Sequence, residues 1–563
     1  MSGVHSELPE SLDKTYERIL KEIKKPNRDH ALRLLQCLVV AIRLLRVEEL
    51  AEVLAVDFDD AEGIPKLNPS WRWEDKEQAL LSSCSSLIAI VDSDDRRVVQ
   101  FSHFSVKEFL TSPRLVTPDR DVSRYHIVLE PAHTILAQAC LSVLLQPDEK
   151  IRLNGTGNSS PLAGYAARHW VSHAQSENVS WHVRKAMEYL FHPDKLQFAA
   201  WLRLHDMDTR LTSPPLGAFV PRRKLDATPL YYAALCGFQD LVNHLMVEYP
   251  HHVKATGGYY MTPVVAALAG RHFELARLLH RKGSSVNVRG IDKQSPLHSA
   301  AFYGDLEVFK ALLEYKADIE ARDDRRRTPL HAASQDGHRD DPGVVRLLLK
   351  HGADSDARKN VEETPLHVAS QYGSSEVAKV LLEDGADLNA RTTYGETPLH
   401  RASMFGQPKT VQVLLQHGAS LSAWTKDSET PIHLASGSGN FEVVHMLLER
   451  GANPTSLTRY RETPLHRALR RGDKKVAGVL LRYCSDPNQQ TEDGELPLHL
   501  ASEYGESDLV RLLLEHGASV EMEDKKGRTA YQVALARGHS EIMKLLLEHG
   551  AEGKSLRSSP SSD

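Results

Sequence analysis

The chain has 563 residues, 41 % of them hydrophobic and 26 % charged, which is the balance of an ordinary folded protein. Lys and Arg number 69 against 75 Asp and Glu, so the formal net charge of −6 offers no overall basic excess to nucleic acid or to an anionic membrane. The longest apolar stretch, 34–45, has twelve residues, whereas a membrane helix needs about 20.

The N-terminal sequence and the cysteines indicate the compartment in which the protein is expected. The first residues, MSGVHSELPE, lack the basic and apolar regions of a secretory signal. The five cysteines lie far apart and form no CxxC pair, which is typical of a reducing compartment. We therefore expect a soluble intracellular protein, in the cytoplasm or alternatively in the nucleus.

The first 115 residues combine helical and extended patterns. Two apolar runs, 87–91 and 98–101, flank the acidic segment 92–95 and predict a β-hairpin. Helical spacing predicts helices over 13–23, 31–45, 48–56, 77–84 and 105–110. Helices followed by one hairpin indicate a winged-helix domain over 1–115, after which 116–222 form a helical connector.

A four-residue block, TPLH in its commonest form, recurs ten times through the second half of the chain. Seven of the nine intervals are 33 residues, and the other two are 34 and 36. Such a period is the signature of a repeat architecture. The blocks begin at Thr228, Thr262, Ser295, Thr328, Thr364, Thr397, Thr430, Thr463, Leu496 and Thr529.

The sequence of one repeat shows why each unit is expected to form a pair of helices. Thr397 can cap a helix with its hydroxyl, and Pro398 at the first helical position loses no needed hydrogen bond. Gly406 ends that helix, and a second helix follows with Val411 and Leu414 on its apolar side. A helical hairpin of this size cannot bury its own apolar face, so stacking of neighbours is predicted to build a mainly α solenoid.

These residues, TPLHxA, then Gly, then VxxLLxxGAxxxA, resemble the ankyrin repeat over about 223–554. The resemblance implies about ten repeats, with the degenerate first, second and tenth copies as caps. Three extra residues around 338–343 should lengthen the turn between the helices of the fourth repeat. In the family, an imidazole at the fourth place of the block bonds the neighbouring loop, which is the structural role expected for His298, His331, His367, His400, His433, His466 and His499.

A second resemblance covers the N-terminal part. LPESLDKTYERIL, RVEELAEVLAVDFD, LLSSCSSLIAIVD and VVQFSHFSVKEFL resemble the winged helix that follows the NACHT nucleotide switch in fungal NACHT–ankyrin proteins, relatives of NOD-like receptors. YAARHWVSHAQ and LQFAAWLRLHDMD resemble the connector of that family. The NACHT module precedes LPESLD in the family but not in this sequence. The resemblance therefore implies the sensor half of a signalling receptor, as a short protein or a truncated gene product, with a NACHT-containing chain as an additional partner.

Searches for catalytic and cofactor motifs find none. The GKS at 553–555 has Glu548 where a P-loop needs glycine, and it stands at the start of the C-terminal tail. The polar tail 555–563 should be disordered and offers Ser559 for phosphorylation. His169 and His173 stand four apart, but HWVSH lacks the glutamate of HExxH. No GxSxG and no catalytic cysteine context occur. We predict no enzyme, no cofactor and no metal site.

Winged helices often bind DNA, and charge tests that alternative. Residues 1–115 hold 16 Lys and Arg against 20 Asp and Glu. The predicted hairpin tip, 92–95, is acidic where a DNA-reading wing would be basic. A packing or autoinhibitory role is therefore favoured over contact with nucleic acid.

The inner face of an ankyrin-like stack offers the candidate binding site. It is lined by residues that precede the helix-ending glycine or stand on the loops between repeats. Here these are aromatic, Met and Arg side chains, which are enriched at protein interfaces, although an aromatic before glycine can instead pack on the next repeat. The candidates are Phe302, Tyr303, Arg325, Arg327, Tyr372, Tyr394, Met404, Phe405, Trp424, Arg459, Tyr460, Arg470, Arg471 and Tyr504.

The favoured interpretation is a non-enzymatic scaffold that binds a partner protein on this concave face. Two alternatives stay open: a substrate-recruiting adaptor of a ubiquitin ligase and, less favoured, a DNA-binding regulator that uses the winged helix. The sequence does not name the ligand, because a fold alone does not define a function.

Overall fold

A computed structural model describes residues 10–59, 63–84, 86–93, 96–146, 160–205, 207, 227–335 and 341–552. The chain divides into two compact units, Met1–Val288 and Arg289–Asp563. The first unit contains the N-terminal domain, the connector and two helix pairs of the repeat region, and the second contains the remaining helix pairs. The predicted tail, with Ser559 and the GKS segment, and the tip residues 94–95 lie outside the described residues.

The N-terminal domain has the predicted helices and hairpin, and a three-stranded antiparallel sheet of order β1-β5-β4. Ile90 in β4 and Leu45 in β1 both lie opposite Val99 in the central strand β5. The elements are α1 (Glu10–Glu22), α2 (Arg28–Val40), β1 (Leu45–Arg46), α3 (Val47–Val53), β2 (Val56–Asp57), β3 (Lys66–Leu67), α4 (Lys76–Cys84), β4 (Ile88–Ser93), β5 (Arg96–Phe101) and α5 (Phe104–Thr111).

Two predicted helices, 31–45 and 48–56, were too long. The first ends at Val40 because Ala41 is extended, with ψ 131°, and buried Leu45 then pairs with β5 instead of continuing the helix. The second ends at Val53, and Val56 pairs with Leu67 in a small second sheet. In both cases, pairing with a distant strand overrides the local helical spacing.

The connector is helical, as predicted, and it contacts the domains on both sides of it within the first unit. Buried Glu52 of the N-terminal domain accepts hydrogen bonds from the Ser160 hydroxyl at 2.6 Å and the Leu162 amide at 2.8 Å. The rings of Trp170 and Phe238, the latter in the first repeat, lie 5.6 Å apart. The helices are α6 (Arg120–Ser123), α7 (Leu129–Leu144), α8 (Ala163–Ala174), α9 (Val179–His182), α10 (Arg184–Leu190) and α11 (Leu196–Leu204).

The repeat region consists of helix pairs, each beginning just after a block residue. The first unit holds α12 (Pro229–Cys236), α13 (Gln239–Glu248), α14 (Pro263–Ala269) and α15 (Phe273–Arg281). The second unit holds α16 (Pro296–Tyr303), α17 (Leu306–Glu314), α18 (Pro329–Ser334), α19 (Gly343–Lys350), α20 (Pro365–Tyr372), α21 (Ser375–Glu383), α22 (Pro398–Met404), α23 (Pro408–Gln416), α24 (Pro431–Ser438), α25 (Phe441–Glu449), α26 (Pro464–Arg471), α27 (Lys474–Arg482), α28 (Pro497–Tyr504), α29 (Ser507–Glu515), α30 (Ala530–Arg537) and α31 (Ser540–Glu548).

Within the second unit the pairs stack in sequence order. Each first helix packs on the first helix of the next pair, and each second helix packs on the next second helix. Leu399, Val411 and Leu414 are buried in this stack, as predicted. In the fourth repeat, α18 ends early at Ser334 and α19 begins at Gly343, so the predicted longer turn falls partly on residues 336–340, outside the described set.

Candidate protein-binding surface

The loops between successive helix pairs of the second unit are similar hydrogen-bonded turns, which we call fingers. In each finger a backbone amide bonds the carbonyl of the residue just before the next block, as from Thr392 to Glu396 at 2.9 Å. Neighbouring fingers are joined at their tips, where the Lys426 amide bonds the Tyr394 carbonyl at 2.9 Å. Bonds equivalent to this second one run from Asp324 to Asp292, Asn360 to Arg325, Thr393 to Val361, Arg459 to Asp427 and Glu492 to Tyr460, at 2.8–3.0 Å. The fingers therefore form one continuous backbone ladder.

The block histidines fasten the first helices to these fingers, as the resemblance implies. His400 Nδ1 accepts the Thr397 amide at 3.1 Å and lies 2.8 Å from the Thr397 hydroxyl. Its Nε2 donates to the Glu429 carbonyl of the next finger at 3.1 Å. Burial lowers the pKa of His400 to about 4 and that of His331 to about 3. The neutral imidazole is thus the form that the stack holds.

The predicted aromatic and Met side chains are partly accessible rather than buried against the next repeat. They fall in two rows, one at the C-terminal ends of first helices and one on the fingers. Their exposed fractions lie between 36 % and 60 %. The helix-end row is Phe302, Tyr303, Tyr372, Met404, Phe405 and Tyr504, and the finger row is Tyr394, Trp424 and Tyr460.

The five predicted arginines divide by their partners. Arg327 binds Asp323, whose side chain is 1 % exposed, at 2.7 Å, so it holds its finger together. Arg470 is paired with Glu462 at 3.1 Å and with Glu495 at 2.9 Å. These carboxylates neutralise one of the two charges of the basic patch predicted at Arg470 and Arg471. Arg459 pairs with Asp427 at 2.7 Å and lies over the Tyr460 ring. Arg325 and Arg471 are exposed.

Sequence reasoning missed a row of glutamates beneath these residues. The residue before the block is glutamate in five consecutive repeats, and the side chains of this row are mostly buried. Arg467 forms ion pairs with Glu429 at 2.6 Å and with Glu462 at 2.9 Å, which join neighbouring repeats. Burial raises the pKa of Glu429, although Arg467 opposes that shift. The glutamates are Glu363, Glu396, Glu429, Glu462 and Glu495.

A column of four arginines on the fingers was also missed, although their regular spacing of 33, 36 and 33 residues is visible in the sequence. Each donates to the backbone carbonyl of the equivalent residue in the next finger. The bonds run from Arg289 to Arg322 at 2.9 Å, from Arg322 to Arg358 at 2.7 Å, from Arg358 to Arg391 at 3.1 Å, and from Arg391 to Trp424. We call these four residues the arginine column.

The described residues offer no obvious catalytic or metal site. No group of three or more His, Cys, Asp or Glu side chains in that part of the chain is placed to hold a metal ion. His173 is buried between the His133 ring and the Tyr165 hydroxyl, each at 2.9 Å, and burial lowers its pKa to about 3. Among the described helices, none combines the length and apolar character needed to cross a bilayer.

Stacked helix pairs, hydrogen-bonded fingers and exposed aromatic rows define a repeat protein with a protein-binding surface. The family profile "Ankyrin repeats (3 copies)" matches residues 230–323, 320–392, 339–425, 389–458, 415–491 and 465–556. Together these matches cover more than half of the chain, which therefore belongs to the ankyrin-repeat family. This fold is typically non-catalytic and supports a role in protein–protein interaction.

The N-terminal domain matches a second family, "GPI inositol-deacylase, winged helix domain", over residues 16–119. A winged helix followed by ankyrin repeats matches the C-terminal part of NACHT–ankyrin proteins. The predicted fold class, mainly helical with a winged helix before the repeats, is thereby confirmed.

Among curated proteins, "Azaphilone pigments biosynthesis cluster protein L" of Monascus ruber is 30 % identical over 298 residues, 50 % of this chain and 61 % of that protein. "Alpha-latrocrustotoxin-Lt1a" of Latrodectus tredecimguttatus is 35 % identical over 104 residues, 18 % of this chain and 7 % of the toxin. The chain thus spans less than two thirds of these relatives. Among solved structures, the human ASB11 ankyrin repeat domain is 27 % identical, with all of it aligned to 40 % of this chain and a TM-score of 0.37.

Proposed function

We propose that this protein is a non-enzymatic scaffold that binds a partner protein through its helix-end and finger rows. The observation that carries the proposal is the display of partly exposed aromatic side chains on a ladder of backbone hydrogen bonds. Aromatic and Arg side chains dominate the binding energy of protein interfaces. Because the fingers are already fixed by their backbone bonds, little ordering entropy would be lost on binding.

We further propose that the chain is the sensor portion of a NACHT–ankyrin, NOD-like-receptor type of protein in the cytoplasm. The order of its modules supports this role. Binding on the repeats would then be relayed to a NACHT switch, in the same or another chain, through the connector and winged helix. Imaging of a fluorescent fusion tests the compartment, and exclusion of the fusion from the cytoplasm would contradict it.

The binding surface is tested by affinity capture with the full chain from its native cell extract. A variant carrying Tyr372→Ala, Phe405→Ala and Tyr504→Ala removes the centre of the helix-end row. We expect this variant to lose a partner that the unchanged protein retains, while circular dichroism shows equal folding of both.

A matched control removes exposed aromatic residues elsewhere, by Phe441→Ala and Tyr483→Ala at the second helices together with Trp181→Ala in the connector. This control should keep the partner. Retention of every partner by both variants would show that the helix-end row serves packing alone.

A further inference from the structure

We propose that the arginine column binds an extended acidic segment of the partner protein. This inference rests on the proposed function and names the chemistry of the partner that the surface accepts. Its four guanidinium groups repeat once per finger, at the same place in four consecutive repeats.

The column carries positive charge with little carboxylate compensation. The guanidinium groups donate to backbone carbonyls, and Glu362, 3.7 Å from Arg358, is the nearest carboxylate to the column among the described residues. By contrast, Arg467 and Arg470 outside the column are each held by two glutamates. Arg322 and Arg358 each donate to two carbonyls. Because a guanidinium has five N–H donors, the arginines of the column still keep donors for a ligand.

The charge of the column also contributes to the lowered pKa of the block histidines near it. Burial is the main cause that lowers the pKa of His298, His331, His367 and His400, and one arginine of the column adds to the effect at each of them. The charge of the column therefore reaches the histidine of each of these four repeats, although Asp323 opposes it at His298 and His331 and Glu363 opposes it at His367. Exposed Arg325 and Arg326, at the tip of one of these fingers, extend the positive charge outward.

The spacing of the column selects an extended peptide. Packed helices stand about 8–10 Å apart, and an extended chain rises about 3.3 Å per residue. One carboxylate at about every third residue would therefore meet one arginine per finger. At the end of the column, exposed Tyr394 and Trp424 offer an apolar contact, with the Arg391 guanidinium 5.9 Å from the centre of the Trp424 ring.

Nucleic acid fits this surface less well. A DNA duplex presents one negative charge per about 1.7 Å of its axis, far more densely than one arginine per finger. A peptide with one carboxylate at about every third residue matches that lower density of positive charge.

The test is fluorescence anisotropy with the full chain and labelled synthetic peptides. The first peptide carries glutamate at every third position in a polar background, a second has the same glutamates in one block, and a third has glutamine in their place. We expect the first to bind most tightly and to weaken as salt is added. Equal binding of the glutamine peptide would overturn the proposal.

The variant Arg322→Gln, Arg358→Gln, Arg391→Gln should weaken binding of the first peptide by about tenfold or more, since charge-assisted hydrogen bonds are the strong ones. A charge-matched control replaces Arg346, Arg482 and Arg511, which lie on second helices, by glutamine and should bind normally. Substituting lysine in the column keeps the charge, so binding should be largely retained. Equal losses in the lysine and glutamine variants would mean that the arginines only hold the fingers together. An equal loss in the control would mean that binding follows the overall charge of the protein, and either result would overturn the proposal.

Tighter binding of a duplex DNA of matched length, or of vesicles rich in phosphatidylserine, would overturn the choice of a protein ligand. The aromatic variant separates this inference from the proposed function. If that variant loses the native partner while the column variant keeps it, the acidic-segment proposal fails and the protein-binding function stands.

Discussion

At the scale of single residues, the threonine and histidine of five consecutive blocks, from Thr328 to Thr463, act as one unit. The threonine amide and hydroxyl both face histidine Nδ1, so Nε2 carries the proton and donates to the next finger. This arrangement requires an unprotonated Nδ1, and burial keeps the pKa of His367, His433 and His466 at about 4. The tenth repeat makes the same cap with Gln532, which does not titrate.

This geometry predicts that the repeats lose stability in mild acid. Unfolded histidine has a pKa of about 6.5, so the unfolded chain binds more protons than the folded chain as the pH falls below that value. The contribution of these histidines to the free energy of unfolding should be constant above neutrality and fall between about pH 6.5 and 4, by up to about 1.4 kcal/mol per pH unit for each buried histidine. Denaturant titrations across this range measure the slope.

Replacing one of these histidines tests the cause of the acid sensitivity. His400→Gln reproduces the cap of the tenth repeat. It should reduce the slope of the free energy of unfolding against pH, in the acid range, by about the contribution of one buried histidine. His417→Gln, at an exposed helix end, is the matched control and should leave the slope unchanged. An unchanged slope in the His400 variant would assign the acid sensitivity to other groups.

The residues that sequence reasoning found and missed follow a physical rule. Phe405 and Trp424 were identified as exposed because their types and positions in the period suffice. The pairing of Arg470 with two glutamates depends on how neighbouring repeats stack, and no local pattern reveals it. The arginine column shows in the period, but its acceptors are backbone carbonyls, which have no sequence signature.

At the scale of elements, the helix pairs were predictable because their signals are local. Threonine, proline and glycine mark the beginning and end of most first helices within a few residues. The strand β1 was missed because a two-residue strand has no periodicity, and its partner β5 lies more than fifty residues further along the chain. The predicted limit of α2 was wrong for the same reason, and that of α3 was wrong because β2 pairs with another two-residue strand, β3.

Two glycines of the eighth repeat should respond to alanine in opposite ways. Gly478 lies inside α27, and an added Cβ would meet nothing closer than Leu512 at 3.8 Å. Gly478→Ala should therefore raise the free energy of unfolding by about 0.5–1 kcal/mol. Gly472 ends α26 with φ +77°, a left-handed conformation that is unfavourable for alanine. Gly472→Ala should therefore lower the free energy of unfolding by about 1–2 kcal/mol.

Chemical denaturation of the two full-length variants beside the unchanged protein measures both signs. Because each substitution adds the same methyl group in the same repeat, each variant controls for the other. Destabilisation by both would contradict the regular helical backbone at Gly478.

At the scale of the whole molecule, the repeat units have no single centre. Each helix pair of the second unit packs on its sequence neighbours, so stability is approximately a sum over repeats and the contacts between adjacent ones. The N-terminal domain instead has a core closed by the non-local pairing of β1, β4 and β5. The effect of a destabilising substitution should therefore spread differently in the repeats and in the N-terminal domain.

Hydrogen exchange of the full chain can show this difference. Leu399→Ala removes a buried side chain from α22, at a cost of about 2–5 kcal/mol. Hydrogen exchange should accelerate in α20, α22 and α24, and this acceleration should decrease with distance along the stack. The helices α2 and α3 should keep their protection. Leu50→Ala, in buried α3, should give the reverse pattern. Uniform acceleration over the whole chain by either substitution would contradict local coupling.

The ladder that joins the fingers has a consequence for how such a protein changes over generations. Its acceptor carbonyls belong to residues as different as Arg325, Val361, Tyr394 and Asp427, so the ladder is indifferent to the side chains that it displays. A point mutation at a tip can alter which ligand is recognised without loss of the backbone bond. Duplication of one repeat would lengthen the reading surface by one finger. Specificity can therefore evolve on this scaffold almost independently of foldability.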